Sequence, residues 1–348
     1  MVGALALRRS RLGRGTFGRV VNSVVILAIL FVVGLVLIRV VQHGPAFFLQ
    51  ILTYGLADGA IYALIALGYT MVYGIIELIN FAHGDVFTLG AFIALALIPS
   101  FGLVEGKSAG IGIILPLVLI FLITMLITGG INVAIERVAY RPLRNAPRLA
   151  PLITAVGMSF TIEGVIYLWK GAFNVHFPDI LPSNRFPIGG GSSIGVKDII
   201  VIVVAAVLVV GLSFFISGTK LGKAMRATAQ DRDAALLMGI DINRTIAATF
   251  FIGGVLAAAG GIIFGLYIGN LTFDLGFAVG LFAFTAAVLG GIGNIQGAAL
   301  GGLMIGIIAA FWDGYMSSTW TQVVIFAILV LTLLLRPTGL LGMRVPEK

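Results

Sequence analysis

Long apolar runs separated by clusters of arginine and lysine constrain this chain more than any other feature. Many of the runs are about 20 residues, enough for a helix to cross a hydrocarbon core of roughly 30 Å. Of the 22 basic residues, all but five fall in four clusters: Arg8 to Arg19, Arg137 to Arg148, Lys220 to Arg244, and Arg336 to the C-terminus. Basic residues flanking membrane spans stay on the cytoplasmic side. The clusters therefore name the cytoplasmic face, and Arg39, Lys107, Lys170, Arg185 and Lys197 mark the opposite one. An all-α polytopic membrane protein with cytoplasmic N- and C-termini is expected.

Composition excludes the main alternatives. At 59% hydrophobic and 10% charged, the chain cannot present a soluble surface, which usually needs about a quarter charged residues. The net charge of +8 sits beside apolar runs, which suits anionic membrane lipid rather than nucleic acid. With no cysteine, disulfides, a zinc site and thiol chemistry are unavailable. His43, His83 and His176 are too far apart in sequence to suggest haem ligation in a helix bundle.

The first apolar run, Val20 to Val41, follows five arginines. A cleaved signal peptide would have a shorter apolar region, about 7–15 residues, ending in small residues. This run instead ends in Ile38-Arg39-Val40-Val41-Gln42, so a retained signal anchor is expected. Residues 1–45 form that basic segment and anchor, 46–342 the transmembrane body, and 343–348 a cytoplasmic tail. Further apolar segments lie at about 46–73, 85–99, 111–135, 150–169, 198–217, 245–268, 276–292, 297–312 and 319–335. With the anchor they give about ten transmembrane or partly broken helices. The segments near 85–99 and 276–312 are read as full spans or as broken, re-entrant ones.

Glycine is used heavily, with 47 residues. Helices in lipid gain little from hydrophobicity when they associate, so small residues that permit close backbone approach do much of the packing. Gly55, Gly59 and Ala63 put a small stripe on one helix face. Gly290, Gly291, Gly293, Gly297, Gly301 and Gly302 are denser still. They fit either close packing or discontinuous spans beside a transport path. Asn80-Phe81-Ala82-His83-Gly84 with Gly90 faintly resembles Gly293-Asn294-Ile295-Gln296-Gly297 with Gly302, as an inverted repeat would. On that basis Asn80, His83, Gly84, Asp85, Gly293, Asn294, Gln296 and Gly297 are the candidate translocation path.

The longest internal cytoplasmic stretch is Gly218 to Arg244. Asp231 is a plausible N-cap with Asp233 in the first turn, which suits the positive end of a helix. Ala234 to Met238 form an apolar run that Gly239 is placed to end. A short helix with small and apolar residues outward would fit a cleft on a partner; packing on its own protein is the alternative.

Asp233-Ala234-Ala235 with Gly239 resembles the Glu-Ala-Ala…Gly loop by which ABC-transporter permeases dock their ATPases. The resemblance widens to GYTMVYGIIELINFAHGDVFTLGAF (68–92), AYRPLRNAPRLAPLITAVGMSF (139–160), GKAMRATAQDRDAALLMGID (222–241), AVLGGIGNIQGAALGGLMIG (287–306) and LRPTGLLG near the end. These are similar to the H-type permease subunit of branched-chain amino-acid ABC importers, over about residues 46–342. The resemblance implies an M-type permease partner, two cytoplasmic ATPase subunits that bind ATP and Mg, and an extracytoplasmic solute-binding protein. It implies no cofactor in this chain, a bacterial or archaeal cytoplasmic (inner) membrane, and coupling through Asp231, Asp233, Ala234, Ala235, Leu237 and Gly239. It leaves open a permease for urea or short amides.

The chain is not expected to hydrolyse ATP. A phosphate-cradling loop needs G-x-x-x-x-G-K-[ST], and the nearest string, Gly102 to Ser108, is one residue too short and on the wrong face. Ionisable residues inside spans are costly and often functional; the candidates are Asp58, Glu77, His83, Asp85, Glu163, Asp274 and Asp313. An ion-coupled secondary transporter would use Asp58, His83 and Asp85 as coupling sites, and is the rival reading.

Overall fold

A computed structural model describes residues 2–78, 80–105, 111–144, 146–147, 149–189 and 191–342, with side chains from Ile38 onward. The anchor expected at Val20 to Val41 lies almost wholly outside the described side chains, as do Lys107, Arg148 and the 343–348 tail. Eight helical stretches among the described residues are long and apolar enough to cross a membrane.

The helices follow the apolar runs. α1 (Val2–Ile76) is interrupted at Gly44, where φ is 80° and ψ 170°. Pro45 follows, and proline has no N–H to continue the ladder. Then come α2 (His83–Leu97), α3 (Ile114–Ile135), α4 (Leu149–Lys170) and α5 (Val196–Gly218). Two short helices, α6 (Lys220–Gln230) and α7 (Arg232–Leu237), precede α8 (Ile242–Ile268). The chain closes with α9 (Leu275–Gly290), α10 (Ile295–Tyr315) and α11 (Thr321–Leu335). All nine segments expected from residue 46 onward are helical.

Two antiparallel pairs lie at one end of the bundle. β1 (Val175–His176) pairs with β4 (Asn270–Leu271), and β2 (Arg185–Gly189) with β3 (Ser192–Gly195). This is the hairpin end; α6 and α7 lie at the other, basic end.

Small residues set the packing, as the sequence pattern requires. A Cβ added at Gly59 would stand 2.8 Å from the Leu303 Cα, and one at Gly55 2.8 Å from the Ile307 Cα. Gly302 and Gly306 of α10 meet Ala63 and Gly59 in return. The stripe of Gly55, Gly59 and Ala63 is thus a backbone-to-backbone crossing. α8 runs through the middle: Gly90 of α2 abuts Ala258, and Gly254 abuts Asn132 of α3. α4, α5 and α11 are peripheral, with Phe160, Leu168, Val207, Phe214, Phe326 and Leu334 exposed. Such apolar faces suit lipid.

α2 is only 15 residues, about 22 Å at 1.5 Å per residue, and α9 is 16. α2 begins inside the bundle. From Ile76 the chain turns back, so that His83 packs against Gly68 of α1 and Gly253 of α8. Gly253 is 11 residues beyond the start of α8, roughly 17 Å along its axis.

Candidate functional site

α7 is built by its ends. The Asp231 carboxylate accepts from the backbone N–H of Asp233 at 2.9 Å and Ala234 at 3.0 Å, a cap that typically contributes about 1 kcal/mol. At the other end Gly239 has φ of 80°. The N–H of Gly239 bonds the Leu236 carbonyl at 3.0 Å and that of Ile240 the Ala235 carbonyl at 3.1 Å, which is the Schellman arrangement.

The outward face differs from the expected one at a single position. Ala235 is 3% exposed and packs inward, whereas Leu237 is 87% exposed and Leu236, Met238 and Ala234 are also outward. The inward side of this six-residue helix rests on its own bundle, and the outward side is left bare.

Beneath α7 lies a polar group that joins several elements. Arg232 donates to the Ile75 carbonyl in the last turn of α1, Nη2 at 2.6 Å and Nε at 3.3 Å. Those orphan carbonyls at a helix C-terminus favour a cation. Arg144 pairs with the buried Glu136 and donates to the Asn243 amide oxygen at 2.6 Å. Burial holds the Arg144 guanidinium below its ordinary pKa, and Glu136 opposes that shift. The Tyr140 hydroxyl donates to Asn80 Oδ1 at 2.6 Å. α7, the end of α1 and the stretch that begins at Asn80 thus share one polar floor. No sequence pattern singled out Arg232, Glu136 or Tyr140, because their partners lie 60 or more residues away or around a bend.

The candidate path residues fall in two neighbouring groups. Asn80, His83, Gly84 and Asp85 are buried together at the start of α2. The His83 ring meets Tyr69 edge-on, centroids 4.8 Å apart, and Ser159 of α4 donates to Asp85. Gly84 is pressed against Gly276 and Gly280 of α9. Gly293, Asn294, Gln296 and Gly297 form the α9–α10 turn instead. There Asn294 caps α10, accepting from Gln296 N at 3.0 Å and Gly297 N at 3.2 Å. The chain end clamps that turn: Leu341 N–H bonds the Gly290 carbonyl at 2.9 Å and Asn294 Nδ2 the Leu341 carbonyl at 2.8 Å. Gly74 abuts Gly293, so the groups flank the last turns of α1.

Comparison with known proteins places this architecture. The family model described as "Branched-chain amino acid transport system / permease component" matches residues 51–333. This chain belongs to that family. It is 44% identical over 310 residues to the high-affinity branched-chain amino acid transport system permease protein BraD of Pseudomonas aeruginosa, covering 86% of this chain and 98% of that protein. To the LivH permease protein of Escherichia coli K12 it is 40% identical over 306 residues, covering 87% and 98%. A probable LivH permease of Methanocaldococcus jannaschii is 30% identical, covering 80% and 88%. No solved structure matches.

This permease also carries a cavity that sequence reasoning missed. A volume of about 360 Å³ opens at the hairpin end, lined by Tyr54, Arg185, Lys197, Asp198 and Tyr267 among others. Arg185 Nη2 donates to the Tyr54 hydroxyl at 3.0 Å and Nε to Ser193 Oγ at 2.9 Å. Asp198 Oδ2 accepts from the Gly195 N–H at 2.7 Å. The available signal was the pair Arg185 and Lys197, basic residues set apart from the four clusters.

Proposed function

We propose that this permease is one transmembrane half of an ATP-driven importer for branched-chain or related amino acids in a bacterial or archaeal cytoplasmic membrane. Its basic end, with α6 and α7, faces the cytoplasm and both termini lie there. Its partners are a homologous M-type permease, two ATPase subunits carrying ATP and Mg, and an extracytoplasmic solute-binding protein.

The observation that carries this reading is α7: a doubly capped helix beyond the spans, presenting Leu236, Leu237 and Met238 to solvent. Bare apolar side chains there suit a partner's cleft. Closure of the ATPases on ATP pushes α7, and the polar floor carries the push to α1 and the base of α2. The bundle then alternates between outward- and inward-open states, and both faces never open together. Substrate choice rests largely with the binding protein.

Purification of the intact complex from native membranes tests this. Stoichiometric ATPase subunits are expected. A chain that moves solute with none attached would be an ion-coupled transporter instead.

A further inference from the structure

A groove of about 290 Å³ lies between α9 and α11 at the basic end of the bundle, walled by Leu289 of α9 and by Ile328, Leu331 and Leu335 of α11. The three α11 residues are spaced by three and four and share one helix face. Thr332 also lines the groove, but its hydroxyl donates to the Ile328 carbonyl at 2.7 Å, so the wall offers no free polar side chain. The chain beyond α11 makes the floor. It turns back at Gly339, where φ is 70° and a Cβ would stand 2.5 Å from the Val288 carbonyl oxygen. The Leu340 N–H then reaches the Leu289 carbonyl at 2.8 Å.

Arg336 is the one charged residue lining this groove, and it is exposed where α11 ends. Its Nη2 donates to the Leu340 carbonyl at 3.3 Å, and it makes no ion pair among the described residues. A guanidinium carries five N–H donors, so most are left for another acceptor. Ile328 precedes Arg336 by eight residues, which places it roughly 12 Å deeper along the helix axis. An apolar channel within the span thus ends in a cation at the span's edge. A phospholipid has its groups in the same order, acyl chain and then phosphate. An apolar helix of a protein partner laid there would bury the arginine without a counter-ion, which is costly.

We propose that this groove binds an anionic phospholipid, with an acyl chain along Leu289, Ile328 and Leu331 and the phosphate on Arg336. Guanidinium and phosphate form short, charge-assisted hydrogen bonds, and basic pockets between membrane helices take anionic headgroups in this way. The bound lipid braces α11 against α9 beside the turn that Leu341 and Asn294 clamp. This site depends on the chain spanning a membrane and not on the solute it moves.

The test places the permease, with whatever subunits purify with it, in nanodiscs of equal parts phosphatidylglycerol and phosphatidylcholine. One lipid or the other carries a photoreactive acyl chain, and cross-links are mapped by mass spectrometry. Phosphatidylglycerol should label the groove about tenfold more than phosphatidylcholine, as a charge-assisted contact implies. Arg336→Gln should bring the two lipids level, and Arg336→Lys should keep part of the preference. Leu331→Trp fills the groove while sparing the cation, and should strip labelling by both lipids from Leu289 across it. Equal labelling of the wild type by the two lipids would reduce the groove to ordinary lipid contact and overturn the site. So would an unchanged preference in Arg336→Gln, or unchanged labelling of Leu289 in Leu331→Trp. A groove that neither lipid labels would be covered by a protein partner instead, which also overturns it. Should Arg336→Gln fail to assemble, the wild-type ratio and Leu331→Trp decide the matter without it.

Discussion

The Arg232 guanidinium donates to the Ile75 carbonyl at 2.6 Å, joining the first residue of α7 to the last turn of α1. Ile75 stands one residue before α1 ends, and Glu77 follows in the left-handed region with φ of 55°. A side chain there is uncommon and costs about 1–3 kcal/mol. Arg232 thus ties α7 directly to that strained turn, and Asn80, three residues beyond Glu77, accepts from the Tyr140 hydroxyl.

Arg232→Met should uncouple the two ends of that contact. Hydrogen bonds to charged groups contribute about 1.5–3 kcal/mol, so the bundle should persist in membranes while α7 loosens. The expected result is retained ATPase binding with a lower ratio of solute moved to ATP hydrolysed. Arg232→Lys, which keeps the charge and loses the fork, should fall between. An unchanged ratio in both variants would remove Arg232 from the coupling route.

Leu237→Glu addresses the outward face of α7. Leu237 touches little of its own chain, so permease levels should match wild type. Co-purification of ATPase subunits should drop at least about tenfold, since a charge buried without a partner at an interface costs several kcal/mol. Ala235→Glu is a different experiment: Ala235 faces the bundle, and that variant should lose permease as well.

Arg144→Ala should be the most damaging single change at the polar floor. Glu136 is 1% exposed and would be left as a buried, unpaired carboxylate, at a cost of about 3–5 kcal/mol. Thermal stability of the detergent-solubilised permease measures this. The double variant Arg144→Met with Glu136→Leu should recover much of the loss; equal loss in both would deny that the pair is what matters.

The spans were legible because apolar length is a one-dimensional property, and so were the ends of α7, since Asp231 and Gly239 act on backbone within a few residues. The Gly55–Gly59–Ala63 stripe announced a crossing without naming its partner, which turned out to be α10. The floor of Arg232, Arg144, Glu136 and Tyr140 was not legible, because contacts such as Asn80 to Tyr140 span 60 residues. The likeness between 80–90 and 293–302 was legible as composition only. One group is buried where α2 begins inside the bundle, and the other is a capped turn held by Leu341.

The proposed orientation rests on charge, and the absence of cysteine allows a clean test. Single cysteines at Ala146, Gln230 and Asn184 fall outside the spans, and Gln230 and Asn184 are exposed. The first two should react with a membrane-impermeant maleimide only from the cytoplasm, and Asn184→Cys only from outside. Labelling of Asn184→Cys from the cytoplasm would invert the proposed topology.

Gly84 and Gly130 should part company when each is replaced by leucine. Both are helical glycines, but Gly84 abuts the backbone of Gly276 and Gly280, while nothing stands within 4 Å of a Cβ at Gly130. Overpacking a close crossing costs about 1–3 kcal/mol or more. In a bundle held by such crossings, Gly84→Leu should lower the amount of assembled permease. Gly130→Leu should be neutral or slightly stabilising, since glycine costs about 0.5–1 kcal/mol inside a helix. Quantifying folded permease and solute uptake on the same membranes separates the roles. Gly84→Leu at normal level but without transport would support Gly84 in the translocation path, while normal level with normal transport would mean that the α2–α9 crossing yields easily.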